Sequence, residues 1–237
     1  MGQQSEISVA KEKTKRTKLR DRVLPNYTFG DEIFNMVSHI VGSVFAVVVL
    51  FVCLYRAVST GNVWGVVSGA IFGLAMVFMY VMSSIYHGLR TDISKKVFQI
   101  IDHCSIFLLI AGSYTVIVLG SPMRSTYPVA AWLILGLVWG LAVLGIVLNA
   151  IDLYKYRRFS MLCYVGTGWS VLLVINPLLN SVPLPAVLLL LVGGIAYSVG
   201  SVLYSVGKRV KHMHPVFHLM VLAGSITHSL AVILYVL

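Results

Sequence analysis

Near the end of the chain lies the stretch His214-Pro215-Val216-Phe217-His218, two histidines four residues apart. On a helix that spacing places both imidazoles on one face, one turn apart. A third histidine, His87, also has a polar residue four positions before it, Ser83, and Asp102-His103 form a further polar pair. Three imidazoles and a carboxylate are a suitable donor set for zinc. Neutral imidazole is a good Zn²⁺ ligand, and three protein ligands leave a fourth position for water. The metal would bring the pKa of that water towards about 7, and the carboxylate could accept or orient its proton.

The elements that must carry these residues are unusual. Of 237 residues, 58% are hydrophobic and 11% charged, and the mean hydropathy is +0.90. A soluble domain carries about 25% charged residues, so the bilayer is the expected solvent. Seven apolar runs are present, at 35–54, 63–86, 100–119, 129–148, 161–179, 184–206 and 216–237. Each is long enough to cross a ~30 Å hydrocarbon core as a helix, and none alternates with the period of two that a membrane strand requires. Turn formers punctuate them at Gly61-Asn62, Ser121-Pro122, Asn176-Pro177 and Pro183-Leu184-Pro185. The expectation is an all-α membrane protein, a seven-transmembrane helix bundle over 31–237, with a basic and mobile arm at 1–30. Multi-pass insertion makes the lipid bilayer its first partner.

Charge sets the expected orientation. Lys and Arg gather in the arm, after the second run, after the fourth and after the sixth; only Arg56 and Arg124 fall on the other side. The positive-inside rule then puts the N-terminus in the cytoplasm and the C-terminus outside. This topology carries Ser83, His87, Asp102, His214 and His218 to the same cytoplasmic end of the bundle. His103 and His212 lack paired spacing and read as interfacial bystanders. Glu32, Asn35 and His39 form a stripe at i, i+3, i+7 whose role is open. His228, fourteen residues beyond His214, lies about 20 Å deeper; hydrogen bonding to His39 is one expectation for it.

Other classes are disfavoured. The net charge of +10 falls in short clusters between apolar runs, without any nucleic-acid-binding motif, so no nucleic-acid partner is expected. Cys53, Cys104 and Cys163 have no CxxC spacing and read as small buried hydrophobes. The arm lacks the features of a signal peptide and misses the myristoylation pattern at Glu6.

Four stretches, Glu32 to His39, Ser83 to His87, Asp102 to Thr115 and His214 to His228, resemble the bacterial hemolysin III family, of the superfamily that includes the adiponectin and progestin receptors. The resemblance covers nearly the whole chain from Asp31 on. It implies seven transmembrane helices, a cytoplasmic N-terminus and residence in a bacterial cytoplasmic membrane. It also implies zinc held by His87, His214 and His218, an aspartate at Asp102 reaching the metal through water, and a serine at Ser83. Alkaline ceramidases share this arrangement. Three functions remain open at this point: a zinc-dependent hydrolase acting on a lipid amide or ester, a membrane-lytic or pore-forming hemolysin, and a sensor or receptor with a structural zinc. The arm has no folded receptor-type extension, so adiponectin signalling is not implied. The oligomeric state is open.

Overall fold

The computed structural model describes residues 17–90, 93–207 and 210–237. The arm residues Lys11, Lys13, Lys15 and Arg16, and Lys208 and Arg209, lie outside the described residues. Among those described, every regular element is helical. Helix α1 (Phe29–Ser59) begins at a capping box: Thr28 Oγ1 accepts from Asp31 N at 3.1 Å, and Asp31 Oδ2 accepts from Thr28 N at 3.4 Å. Gly61, at φ +66°, makes the tight turn into α2 (Val63–Gly88). Asn62 caps α2 through Gly65 N at 2.8 Å and ties it to the end of α3 (Ile93–Gly120) through Gly120 O, also at 2.8 Å. The central helix is α3: 72% of its most apolar stretch is buried, against 17% to 44% for the other spans.

A continuous helical stretch, Pro128–Trp169, covers the fourth apolar run and the first half of the fifth. Straight, its 42 residues would reach about 63 Å, twice the hydrocarbon thickness. It does not run straight. Asp152 is extended (φ −158°, ψ 94°), and its Oδ1 accepts the N–H groups of Tyr154 and Lys155 at 3.1 Å each, as an N-cap does. Ser160 Oγ donates to Asn149 Oδ1 at 2.6 Å, although a straight helix would hold these residues about 16 Å apart. The chain therefore reverses at Asp152 into α4 (128–151) and α5 (153–169). Both arms meet the same level of α3, through Trp139 Nε1 to Thr115 Oγ1 at 3.0 Å and Tyr114 OH to Thr167 O at 3.0 Å. Tyr114 OH also receives Val171 N at 2.7 Å, satisfying a donor of the 3-10 turn Ser170–Val174 that ends α5. A short helix, Ile175–Leu179, precedes α6 (Leu184–Val206) and α7 (Met213–Tyr235).

Seven long helices result among the described residues. Among the described residues, six elements are long and apolar enough to cross a membrane when Pro128–Leu179, with its reversal, is counted once. Large apolar side chains face outward on every side, among them Phe51 at 64%, Leu133 at 69% and Leu162 at 72% exposure. A surface so apolar needs lipid around it, and helices are the elements that can satisfy their own backbone there. The protein is a multi-pass membrane protein.

Helix limits differ from the apolar runs in one consistent way. Helix α1 starts six residues before the first run, α3 seven before the third and α7 three before the last. Hydropathy stops at polar residues, whereas the backbone continues through them when tertiary partners accept their side chains. Lys95 and Gln99, both buried in the first turns of α3, are such residues. The same helix starts carry most of the polar groups described next. Close packing then fixes their depth. A Cβ on Gly42 of α1 would lie 2.5 Å from the Tyr80 ring of α2, and Tyr80 OH in turn donates to Ser225 Oγ of α7 at 2.8 Å.

Candidate metal centre

His87 lies in the last turn of α2, and His214 and His218 lie in the first two turns of α7. All three are buried, at 3%, 7% and 1% exposure. Their potential ligand atoms lie within 4.8 Å of one another. His214 Nε2 and His218 Nε2 are 3.1 Å apart. That is near the ~3.3 Å edge of a tetrahedron built on metal–nitrogen bonds of about 2.0–2.1 Å. The fit can be tested on His87. Its Nδ1 is engaged, whereas its Nε2 is fully buried with no hydrogen-bond partner. A buried polar nitrogen left alone is rare enough to require an explanation. The three histidines form a buried cluster that could hold a metal ion.

Helix α1 backs this cluster with its polar stripe. Glu32 Oε2 lies 2.6 Å from His87 Nδ1. A carboxylate there holds the proton on Nδ1 and leaves the Nε2 lone pair for a metal, the usual support behind a histidine ligand. Lys95 Nζ contacts Glu32 Oε1 at 2.8 Å and donates to Leu89 O at 2.9 Å, which fixes the carboxylate in turn. Asn35 Nδ2 is 3.5 Å from His87 Nδ1. One turn deeper, His39 stacks on His218, with ring centroids 3.8 Å apart, and meets Tyr80 edge-on at 5.0 Å. The stripe whose role was open in the sequence thus lies directly against two members of the cluster. Substituting Glu32 with Gln should weaken metal binding roughly 10- to 100-fold, the cost typical of losing such a partner, as measured by competition with a chelator.

On one side the cluster opens into a cavity of about 370 Å³. His214, His218, Ser83 and Asp102 line its polar end, and Met123 and Leu178 its far, apolar end. Ser83 is buried at 2% exposure, and the Asp102 side chain is 15% exposed. The fold therefore brings all five residues singled out in the sequence to one end of the bundle. His103 also lines the cavity, and its Nε2 is 3.0 Å from Tyr204 OH. It is part of the cavity wall, where the sequence suggested an interfacial bystander. His212 stays outside the cluster: its side chain is 66% exposed and its Nδ1 pairs with Asp31 Oδ1 at 2.7 Å. The expected pairing of His228 with His39 is not made. His228 Nε2 lies 3.1 Å from Leu190 O of α6, because the backbone carbonyl of a neighbouring helix was the nearer acceptor. Sequence reasoning had no signal for Tyr27, which stacks on His214, or for Tyr204, which packs against the same ring at 5.8 Å.

Known proteins match over most of the chain. The family model described as Haemolysin-III related covers residues 27–229. The chain is 33% identical over 209 residues to the protein named Hemolysin-3 homolog of Bacillus subtilis (strain 168), covering 88% of this chain and 96% of the relative. It is 32% identical over 210 residues to Hemolysin-3 of Bacillus cereus, covering 87% and 92%. The matched span includes the stripe on α1, Ser83, Asp102 and all three clustered histidines. The chain thus belongs to the haemolysin-III related family.

Proposed function

We infer that the protein is a zinc-dependent intramembrane hydrolase acting on a lipid amide or ester. The observation that carries this reading is a buried three-histidine cluster opening onto an apolar cavity that also bears Asp102 and Ser83. His87, His214 and His218 would hold the ion, and Glu32 keeps His87 in the ligating tautomer. A bound zinc ion supplies Lewis acidity and lowers the pKa of a coordinated water. Asp102 takes the proton of the attacking water and returns it to the leaving nitrogen or oxygen. Ser83 donates a hydrogen bond to the carbonyl oxygen as negative charge develops on it. The apolar wall binds the acyl chain and keeps bulk water from the reacting carbon. Water thus adds hydroxyl to the acyl carbon and hydrogen to the leaving group.

The positive-inside asymmetry supports seven crossings with the N-terminus in the cytoplasm, so that the histidine cluster faces the cytoplasmic leaflet of a bacterial membrane. The relatives' name suggests lysis. Against an aqueous pore, the ionisable groups crowd one end of the bundle and do not line it from face to face. The reading is tested by metal analysis of the purified protein, followed by incubation with ceramides, other acyl lipids and phospholipids, read by mass spectrometry. About one zinc per chain and release of a fatty acid are expected. A zinc-loaded protein that leaves the whole panel unchanged would refute the hydrolase and favour a sensor. A reporter fused at Leu237 should be active only outside the cytoplasm; activity inside overturns the orientation.

A further inference from the structure

The histidine cluster has two sides, and only one of them faces the cavity. His214 and His218 line the cavity, whereas Tyr27 does not. Tyr27 lies against the other side, its ring stacked on His214 with centroids 4.5 Å apart and planes at 22°, and 5.9 Å from the ring of His87. It ends a segment, 17–28, that crosses the polar end of the bundle before α1 begins. That segment is tied down repeatedly. Thr17 N donates to Asp152 Oδ2 at 2.8 Å, Arg22 Nη2 to Ile151 O at 3.4 Å, and Lys96 Nζ to Arg20 O at 2.6 Å. Just beyond Tyr27, Asp31 pairs with His212 across to the start of α7.

We propose that residues 17–28 form a strap closing the aqueous side of the metal site, with Tyr27 as its plug. This rests on the His87–His214–His218 cluster being the working centre. The site then has two separate doors. Lipid acyl chains arrive through the apolar cavity. A metal cation, water and the polar part of a product pass only where Tyr27 now stacks, when the strap lifts. The strap suits this task because it is held by a few polar bonds to the neighbouring helices and by the ring of Tyr27 against His214 and His87. Segments with little buried apolar contact open at low free energy.

The test needs neither metal nor lipid substrate. The full-length protein in nanodiscs, treated with a chelator, is exposed to diethyl pyrocarbonate, and acylation of each histidine is followed by peptide mass spectrometry. The exposed His212 serves as the reference. In the wild type, His214 should react slowly. Tyr27→Ala should accelerate its acylation about tenfold or more, and Tyr27→Phe, which keeps the ring, should leave it slow. Lys96→Ala, which releases the strap at an exposed position, should raise the rate in the same direction and covers the case in which Tyr27→Ala fails to fold. Unchanged His214 reactivity in both Tyr27→Ala and Lys96→Ala overturns the strap, as does a Tyr27→Phe variant as reactive as Tyr27→Ala. A silent lipid assay would sink the hydrolase reading and leave this result standing.

Discussion

Alanine at His218 is expected to lower metal affinity about 10²- to 10³-fold and to leave the purified protein nearly metal-free. The magnitude follows from apparent binding free energies of about 10–16 kcal/mol for structural zinc shared among its ligands. Each lost imidazole then removes a few kcal/mol, and two remaining histidines hold zinc poorly. His218 is 1% exposed and faces His214 at 3.1 Å, at the heart of the donor set. His214→Ala should behave alike. His212→Ala is the control, because that residue sits two positions away but points outward to Asp31. It should keep the metal. Elemental analysis of the three variants decides the ligand set: retention in His214→Ala together with loss in His212→Ala would show the assignment to be wrong.

Asparagine at Asp102 should separate binding from chemistry. The carboxylate lines the cavity beside His214 and His218 but is not one of the three clustered donors. Asn keeps its shape and cannot take up a proton. The variant should retain both metal and fold while losing lipid hydrolysis by roughly 10²-fold or more, the scale of a general base. The readout is fatty-acid release per mole of metal-loaded protein. A purely structural metal predicts no turnover in either protein. A lytic pore predicts dye leakage from liposomes that is indifferent to Asp102. Metal loss in Asp102→Asn would instead assign the aspartate to the ligand set.

Much of this protein was legible before any coordinates. Hydropathy alone required a bilayer and located seven apolar runs, because a helix in lipid must be apolar over its whole length. Periodicity put Ser83 with His87, His214 with His218, and Glu32 with Asn35 and His39, because spacing along one helix encodes which residues share a face. Charge asymmetry implied that the three histidines meet at one level. The reversal between α4 and α5 was legible only as a polar gap between runs. That it turns at Asp152, in an otherwise unbroken helix, depends on that carboxylate capping α5 and on the Asn149–Ser160 contact across the hairpin.

What spacing cannot encode is which face meets which. Glu32 and His87 are 55 positions apart, and Asp31 and His212 are 181 apart. Their pairing depends on how α1 packs between α2 and α7, which glycine and tyrosine shapes such as Gly42 against Tyr80 decide. The same reason explains the miss at His228. Its depth followed from helix rise, but its partner is the backbone carbonyl of Leu190, an acceptor every residue carries and no sequence marks. The sequence by itself determined the solvent, the number of apolar runs and the donors at one membrane level. The tertiary structure alone decided that Glu32 stands behind His87, that His39 and Tyr27 stack on His218 and His214, and that the cluster opens onto an apolar cavity. Those contacts join residues on different helices, and helix-to-helix register is set by side-chain packing in three dimensions.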